Sequence, residues 1–132
     1  MRDLIIVVHA GPEVGEELCA VLDRHDYHAI ALHSLDELAV TVRNSPCYAV
    51  ILDLDRLPVD NRFIRNLCKD NPHLCVIGAS SRTFHPELEE SMRTHISACL
   101  SKPVDEDELI YWLKSICEGE PSSRASPVNK RD

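Results

Sequence analysis

The sequence predicts an α/β domain built on a doubly wound, five-stranded parallel sheet in the order 2-1-3-4-5, with five helices layered on its two faces. Three observations carry that prediction. Leu4–Val8 and Ala49–Leu52 are uninterrupted apolar runs, the mark of strands covered on both faces as parallel strands are. Strand-like runs alternate five times with segments of helical periodicity, the pattern of βα units rather than of hairpins. Right-handed crossovers then leave few topologies, and for a chain of 132 residues this doubly wound order is the common one.

The first strand, Leu4–Val8, breaks at His9-Ala10-Gly11-Pro12, where Pro12 suits the first position of a helix. From Glu13 to His25, Val14, Leu18, Val21 and Leu22 recur at helical spacing, and Glu13, Glu16 and Glu17 complement the helix dipole. His28–Leu32 is a short second strand. Ser34 and Glu37 make a capping box for a helix through Arg43, whose buried stripe is Leu35, Leu38, Ala39 and Val42. Asn44-Ser45-Pro46 ends it. The third strand runs from Tyr48 into Asp53, and a loop follows from Leu54 to Val59.

Asp60 caps the third helix, which carries Phe63, Ile64, Leu67 and Cys68 on one side and stops at Asn71-Pro72. Leu74–Ala79 is the fourth strand, ending in Ser80-Ser81. A polar helix covers Pro86–Thr94, anchored by Leu88 and Met92. Ile96–Leu100 is the fifth strand. After Lys102-Pro103, Asp105 and Glu108 form a capping pair ahead of Leu109, Ile110, Trp112, Leu113 and Ile116, in a helix ending near Gly119. Residues 120–132 are rich in Pro, Ser, Lys and Arg with almost nothing apolar, so they are expected to be a disordered tail beside one domain over 1–119.

Composition narrows the function classes. A formal charge of -8 argues against direct contact with nucleic acid, which needs a basic face. No apolar run approaches the roughly 18 residues of a membrane span, and the apolar stretch after Arg2 and Asp3 is too short for a signal peptide. The six cysteines (Cys19, Cys47, Cys68, Cys75, Cys99 and Cys117) include no CxxC pair and sit mostly in apolar segments. They read as reduced core filler, which with the absent span gives a cytoplasmic expectation. None of the seven histidines stands at metal-ligand spacing.

In a sheet of this order the carboxyl ends of strands one, three, four and five converge. They bring His9 and Ala10, Asp53 with Asp55, Ser80 with Ser81, and Lys102-Pro103 to one place. An acid, a hydroxyl and an ammonium from three strands can stabilise a phosphoryl group carried on the carboxylate. A purely structural arrangement uses the same residues: Asp53 braces the Asp60 helix region or pairs with Lys102.

These residues resemble the receiver domain of bacterial two-component response regulators, over roughly Leu4 to Cys117. The segments that carry the resemblance are Val-Ile-Leu-Asp-Leu-Asp-Arg-Leu-Pro, Val-Ile-Gly-Ala-Ser-Ser, and Leu-Ser-Lys-Pro followed by Asp-Glu-Asp-Glu-Leu. The resemblance implies a flavodoxin-like three-layer sandwich. It implies Asp53 as phosphoacceptor, Ser80 as switch hydroxyl, Lys102 as the lysine pairing with acid and then phosphate, and a cis peptide before Pro103. It also implies a protein partner, namely a histidine kinase, a phosphotransfer protein or an output protein. The contact face would be the fourth helix, fifth strand and fifth helix, near Glu87–Thr94, Ala98–Leu100 and Ile110–Lys114, through which a dimer is also possible.

The chain departs from that family where a metal would sit. Receivers carry two acids after the first strand that hold Mg²⁺ with the phosphoacceptor, and those places fall here on His9 and Ala10. Mg²⁺ needs hard oxygen ligands, which Ala10 lacks and imidazole supplies poorly. Glu13 and Asp55 are the nearest other acids. The loop from Asp53 to Pro58 is one residue longer than the family's spacing, and Cys99 stands where an aromatic switch residue is expected. The expectation is a signalling module acting by protein contact, with phosphorylation at Asp53 impaired. Alternatives are a site rescued by Glu13, Asp55 or His9, and a constitutive pseudo-receiver scaffold that is not phosphorylated. A flavodoxin-like cofactor carrier is a third, weakened by the absence of a hydroxyl-rich phosphate loop after the first strand.

Overall fold

The computed structural model describes residues 4–9 and 12–117, with the side chains of residues 12–14 and of 116 and 117 excepted. Ala10, the Glu13 side chain, the helix end at Gly119 and the expected tail at 120–132 therefore lie outside the described residues.

Five strands, β1 (Leu4–Val8), β2 (His28–Leu32), β3 (Ala49–Asp53), β4 (Cys75–Ser80) and β5 (Ile96–Ser101), form one sheet in the order β2-β1-β3-β4-β5. Every pairing is parallel. The two runs that the sequence marks as doubly covered, β1 and β3, are interior strands, as is β4. Every residue of β3 and β4 is buried, and every residue of β1 except Leu4. The edge strand β5 alternates instead, with Ile96 and Leu100 inside and Ser97, Cys99 and Ser101 outside.

Strand period sorts the core onto two faces. Ile5, Val7, Ile51 and Ile77 point toward α1 (Pro12–Arg24) and α5 (Glu106–Trp112), meeting Leu18, Leu22, Leu109 and Leu113. Ile6, Val8, Val50, Leu52 and Val76 point the other way. They meet Leu38 and Val42 of α2 (Leu35–Asn44), Ile64 and Leu67 of α3 (Asn61–Asp70), and Leu88 ahead of α4 (Glu89–Thr94).

Local signals set the helix ends. Ser34, Asp60 and Asp105 each accept a hydrogen bond from the backbone N–H three residues on, at 3.1, 2.8 and 2.9 Å. The capping box at Ser34 closes differently from expectation: Glu37 reaches back to the N–H of His33, at 2.8 Å, one residue before the cap. The helix expected over Pro86–Thr94 begins as a 3₁₀ turn, Pro86–Leu88, and only then becomes the six-residue α4. The turn after α1 places Asp26 at φ 73, while the Tyr27 N–H returns to the Leu22 carbonyl at 3.0 Å.

The expectation that all six cysteines serve as reduced filler is corrected at Cys75, which is disulfide-bonded. Cys19, Cys47, Cys68 and Cys99 are free thiols. Among the described residues no helix is long and apolar enough to cross a membrane.

Candidate phosphoryl site at the carboxyl edge of the sheet

Asp53 is the last residue of β3 and is 5% exposed. Its Oδ1 accepts the Lys102 ammonium at 2.7 Å and the Asp55 N–H at 3.1 Å. Lys102 arrives immediately after β5, tied to the end of β4 by its own N–H, which donates to the Ser80 carbonyl at 3.1 Å. The Lys102–Pro103 peptide bond is cis. The same ammonium lies 3.2 Å from Asp55 Oδ2, so one cation bridges two carboxylates. Burial pulls the Lys102 pKa down, and the hydrogen bonds and charges of Asp53 and Asp55 more than reverse this, leaving it raised.

The β3–α3 loop aims Asp55 at β4. The Leu54 N–H donates to the Ala79 carbonyl at 3.0 Å, and the Leu54 side chain lies over Gly78, where a Cβ would come within 2.6 Å of its Cδ1. The Leu57 N–H returns to the Asp53 carbonyl at 3.2 Å and Leu57 is buried, so the residues between are held in a closed turn.

Asp55 then collects the donors at the end of β4. The Ser80 hydroxyl donates to Oδ1 at 2.6 Å, and both the N–H and the hydroxyl of Ser81 donate to Oδ2 at 2.9 Å. Ser80 Oγ in turn accepts the Arg82 N–H at 2.9 Å, which fixes the hydroxyl's orientation. The Arg82 Nε stands 3.7 Å from Oδ1. Burial pushes the Asp55 pKa up, but the bonds from Ser80, Ser81 and Lys102 outweigh it and hold the carboxyl well below the usual range.

His9 closes the other side of β1. It is 1% exposed, and neither ring nitrogen has a hydrogen-bond partner among the described residues. Its ring packs on α1 at Gly15, where a Cβ would overlap the imidazole, and meets the His33 ring edge to face at 5.0 Å. Gly15 is thus a packing requirement of His9.

Among the described residues, this donor set does not fit Mg²⁺, which takes six oxygens in near-octahedral geometry. The residue at the end of β1 offers nitrogens sealed against a helix. The two nearby carboxylates already share one ammonium. Among the described residues, no group of three or more His, Cys, Asp or Glu side chains is placed to hold a metal ion.

Sequence reasoning brings Asp53, Ser80 and Lys102 to one edge of the sheet, and the structure places them there. Ser80 and Lys102 meet through Asp55, which the sequence brings to this edge beside Asp53 as a possible rescuing acid for a metal, and not as the partner of the serine hydroxyls. The signal that could have found it is the serine pair after β4 opposite a second acid two residues beyond the strand-end aspartate.

Solved structures similar to this chain include receiver domains of response regulators. A CheY-like response regulator receiver domain protein from Methanospirillum hungatei JF-1 gives a TM-score of 0.79 at 16% identity, over 89% of this chain and 95% of that one. The signal receiver domain of an HD domain-containing protein from Pseudomonas fluorescens Pf-5 gives 0.80 at 18% identity, over 93% and 100%. NtrX from Brucella abortus, solved in complex with ADP, gives 0.75 at 18% identity over 89% of this chain, which spans 26% of NtrX. At these identities the likeness establishes the fold, which is that of receiver domains. No protein-family model and no curated protein matches the chain.

Proposed function

We propose that the chain is a receiver-type module of two-component signalling that acts through protein–protein contact, with phosphorylation at Asp53 impaired. One observation carries the reading: the Asp53 carboxylate meets the Lys102 ammonium at 2.7 Å on the carboxyl edge of a receiver fold, with imidazole at the end of β1. In this reading Asp53 is the phosphoacceptor, Ser80 the switch hydroxyl and Lys102 the cation that binds the new oxygens. A carboxylate oxygen of Asp53 attacks phosphorus, and the bond from phosphorus to the donor's leaving atom breaks. The electron pair goes to an imidazole nitrogen when the donor is a phosphohistidine, or to a carboxylate oxygen when it is acetyl phosphate. Lys102, and not a metal ion, offsets the charge that builds on the transferring group, so transfer is slowed by orders of magnitude relative to a metal-assisted site.

The upstream partner in this reading is a histidine kinase or phosphotransfer protein, and the downstream partner an output protein. The proposed contact face is α4, β5 and α5. A groove of about 460 Å³ there is lined by Phe84, Met92, Arg93, Cys99 and Leu100 among others. Phe84, in the groove's lining, and Tyr111, on α5, are the most exposed large apolar side chains among the described residues, at 73% and 60%. Pairing of two copies through this face belongs to the same proposal. The saturation of Asp55 by Ser80, Ser81 and Lys102 favours a second reading, a scaffold that binds its partner constitutively.

The test is incubation with acetyl phosphate and Mg²⁺, followed by intact mass. Slow, partial gain of one phosphoryl group, absent in Asp53→Asn, is expected. Rapid, complete and Mg²⁺-dependent gain contradicts impairment. No gain at long times contradicts the phosphoacceptor role and leaves the constitutive scaffold.

A further inference from the structure

We propose that Asp55 is a tethered ligand: its carboxylate occupies an oxyanion-binding site formed by Ser80, Ser81 and Lys102, from which any external tetrahedral oxyanion must displace it. The donors come from segments other than its own. Ser80 and Ser81 lie at the end of β4 and Lys102 follows β5, whereas Asp55 enters from the β3–α3 loop.

The site is complete in the sense an anion requires. Its two oxygens receive two hydroxyls, one backbone N–H and one ammonium, at 2.6, 2.9, 2.9 and 3.2 Å. Charge-assisted bonds of this kind are roughly twice as strong as neutral ones. Hydroxyl, amide and ammonium donors converging on one point are what phosphate recognition uses, since each presents hydrogen toward a spread negative charge. The Ser80 hydroxyl cannot turn elsewhere without giving up either Asp55 or the Arg82 N–H.

Occupation from within the chain sets the competition. A carboxylate held by the closed turn of Leu54 to Leu57 acts at an effective concentration of at least about millimolar, so free phosphate at ordinary concentrations is excluded. In its regulatory consequence the proposal rests on the receiver reading: a phosphoryl group on Asp53 would draw on the Lys102 ammonium that also holds Asp55. The module then carries its own anion, and phosphorylation has to expel it.

The experiment is a titration of ¹⁵N-labelled protein with inorganic phosphate at neutral pH, read at the Ser81 and Arg82 amides, for wild type, Asp55→Ala and Asp55→Asn. The Asn variant keeps an oxygen for the serine donors and guards against misfolding of the Ala variant. Both variants are expected to bind phosphate at least about tenfold more tightly than wild type, because a tethered charged competitor has been removed. Ser80→Ala added to Asp55→Ala is expected to weaken that binding again. Failure of both variants to titrate at these amides, or wild type binding as tightly as they do, overturns the proposal. The titration uses no phosphodonor and no partner. Its failure leaves the receiver reading standing, and a failed phosphorylation test leaves the anion site standing.

Discussion

The Ser80 hydroxyl donates to Asp55 at 2.6 Å, while Asp53, two residues earlier, takes the Lys102 ammonium at 2.7 Å. The strand-end hydroxyl and the strand-end acid are thus engaged with different partners, and Lys102 links the two. Ser80→Ala removes one charge-assisted bond and leaves Asp55 with Ser81 and Lys102. A loss of about 1–2 kcal/mol is expected, read as a lower urea midpoint at unchanged slope.

Lys102→Met is expected to cost more. It leaves two carboxylates facing each other without their shared cation, and Asp53 is buried. Removing one partner of a buried pair costs about 3–5 kcal/mol, and the 20% exposure of the Lys102 side chain lowers this to about 2–4. Adding Asp53→Asn is expected to recover part of the loss. A denaturation series on the two single variants and the double variant reads this as a coupling energy.

Gly15 lies within α1, where alanine ordinarily gains about 1 kcal/mol over glycine. The His9 ring reverses the sign, since the new Cβ would overlap it. Gly15→Ala is expected to destabilise by more than about 2 kcal/mol, in the range of overpacked cores. In a His9→Ala background the same change is expected to be neutral or stabilising. Thermal melts of the four proteins decide it.

How far these contacts can be read from residue order alone differs from one to the next. Apolar runs such as Leu4–Val8 announce interior strands because both faces of a parallel strand are covered. Ser34, Asp60 and Asp105 announce helix starts because the capping bond spans only three residues. Asp53 and Lys102 follow from topology, since strand ends converge wherever the order reverses. Asp55 does not follow, because its direction depends on how the Leu54–Leu57 turn closes over Gly78. The contact of His9 with Gly15 depends on the placement of α1 against β1, and the bonded state of Cys75 on a partner that no CxxC spacing announces.

Acid sensitivity follows from Asp55. Its folded pKa lies below the usual 3.8, through Ser80, Ser81 and Lys102 acting against burial. The unfolded chain therefore takes up the proton first as pH falls, so the stabilisation is full above the unfolded value and is lost as pH drops toward and through the lower folded one. The charged and titratable groups around it are Lys102, Arg82, Asp53 and the Cys99 thiol. Wild type is expected to lose stability more steeply than Asp55→Asn between about pH 5 and pH 2, read from urea midpoints across pH.

The most direct test of an impaired, lysine-bridged site is a Mg²⁺ titration followed at the Leu54 and Asp55 amides and by melting temperature. With the one Lys102 ammonium already engaged by both carboxylates and the His9 side chain offering no oxygen, no saturable shift and no rise in melting temperature are expected at millimolar Mg²⁺. Saturable shifts at these amides together with a higher melting temperature would contradict it.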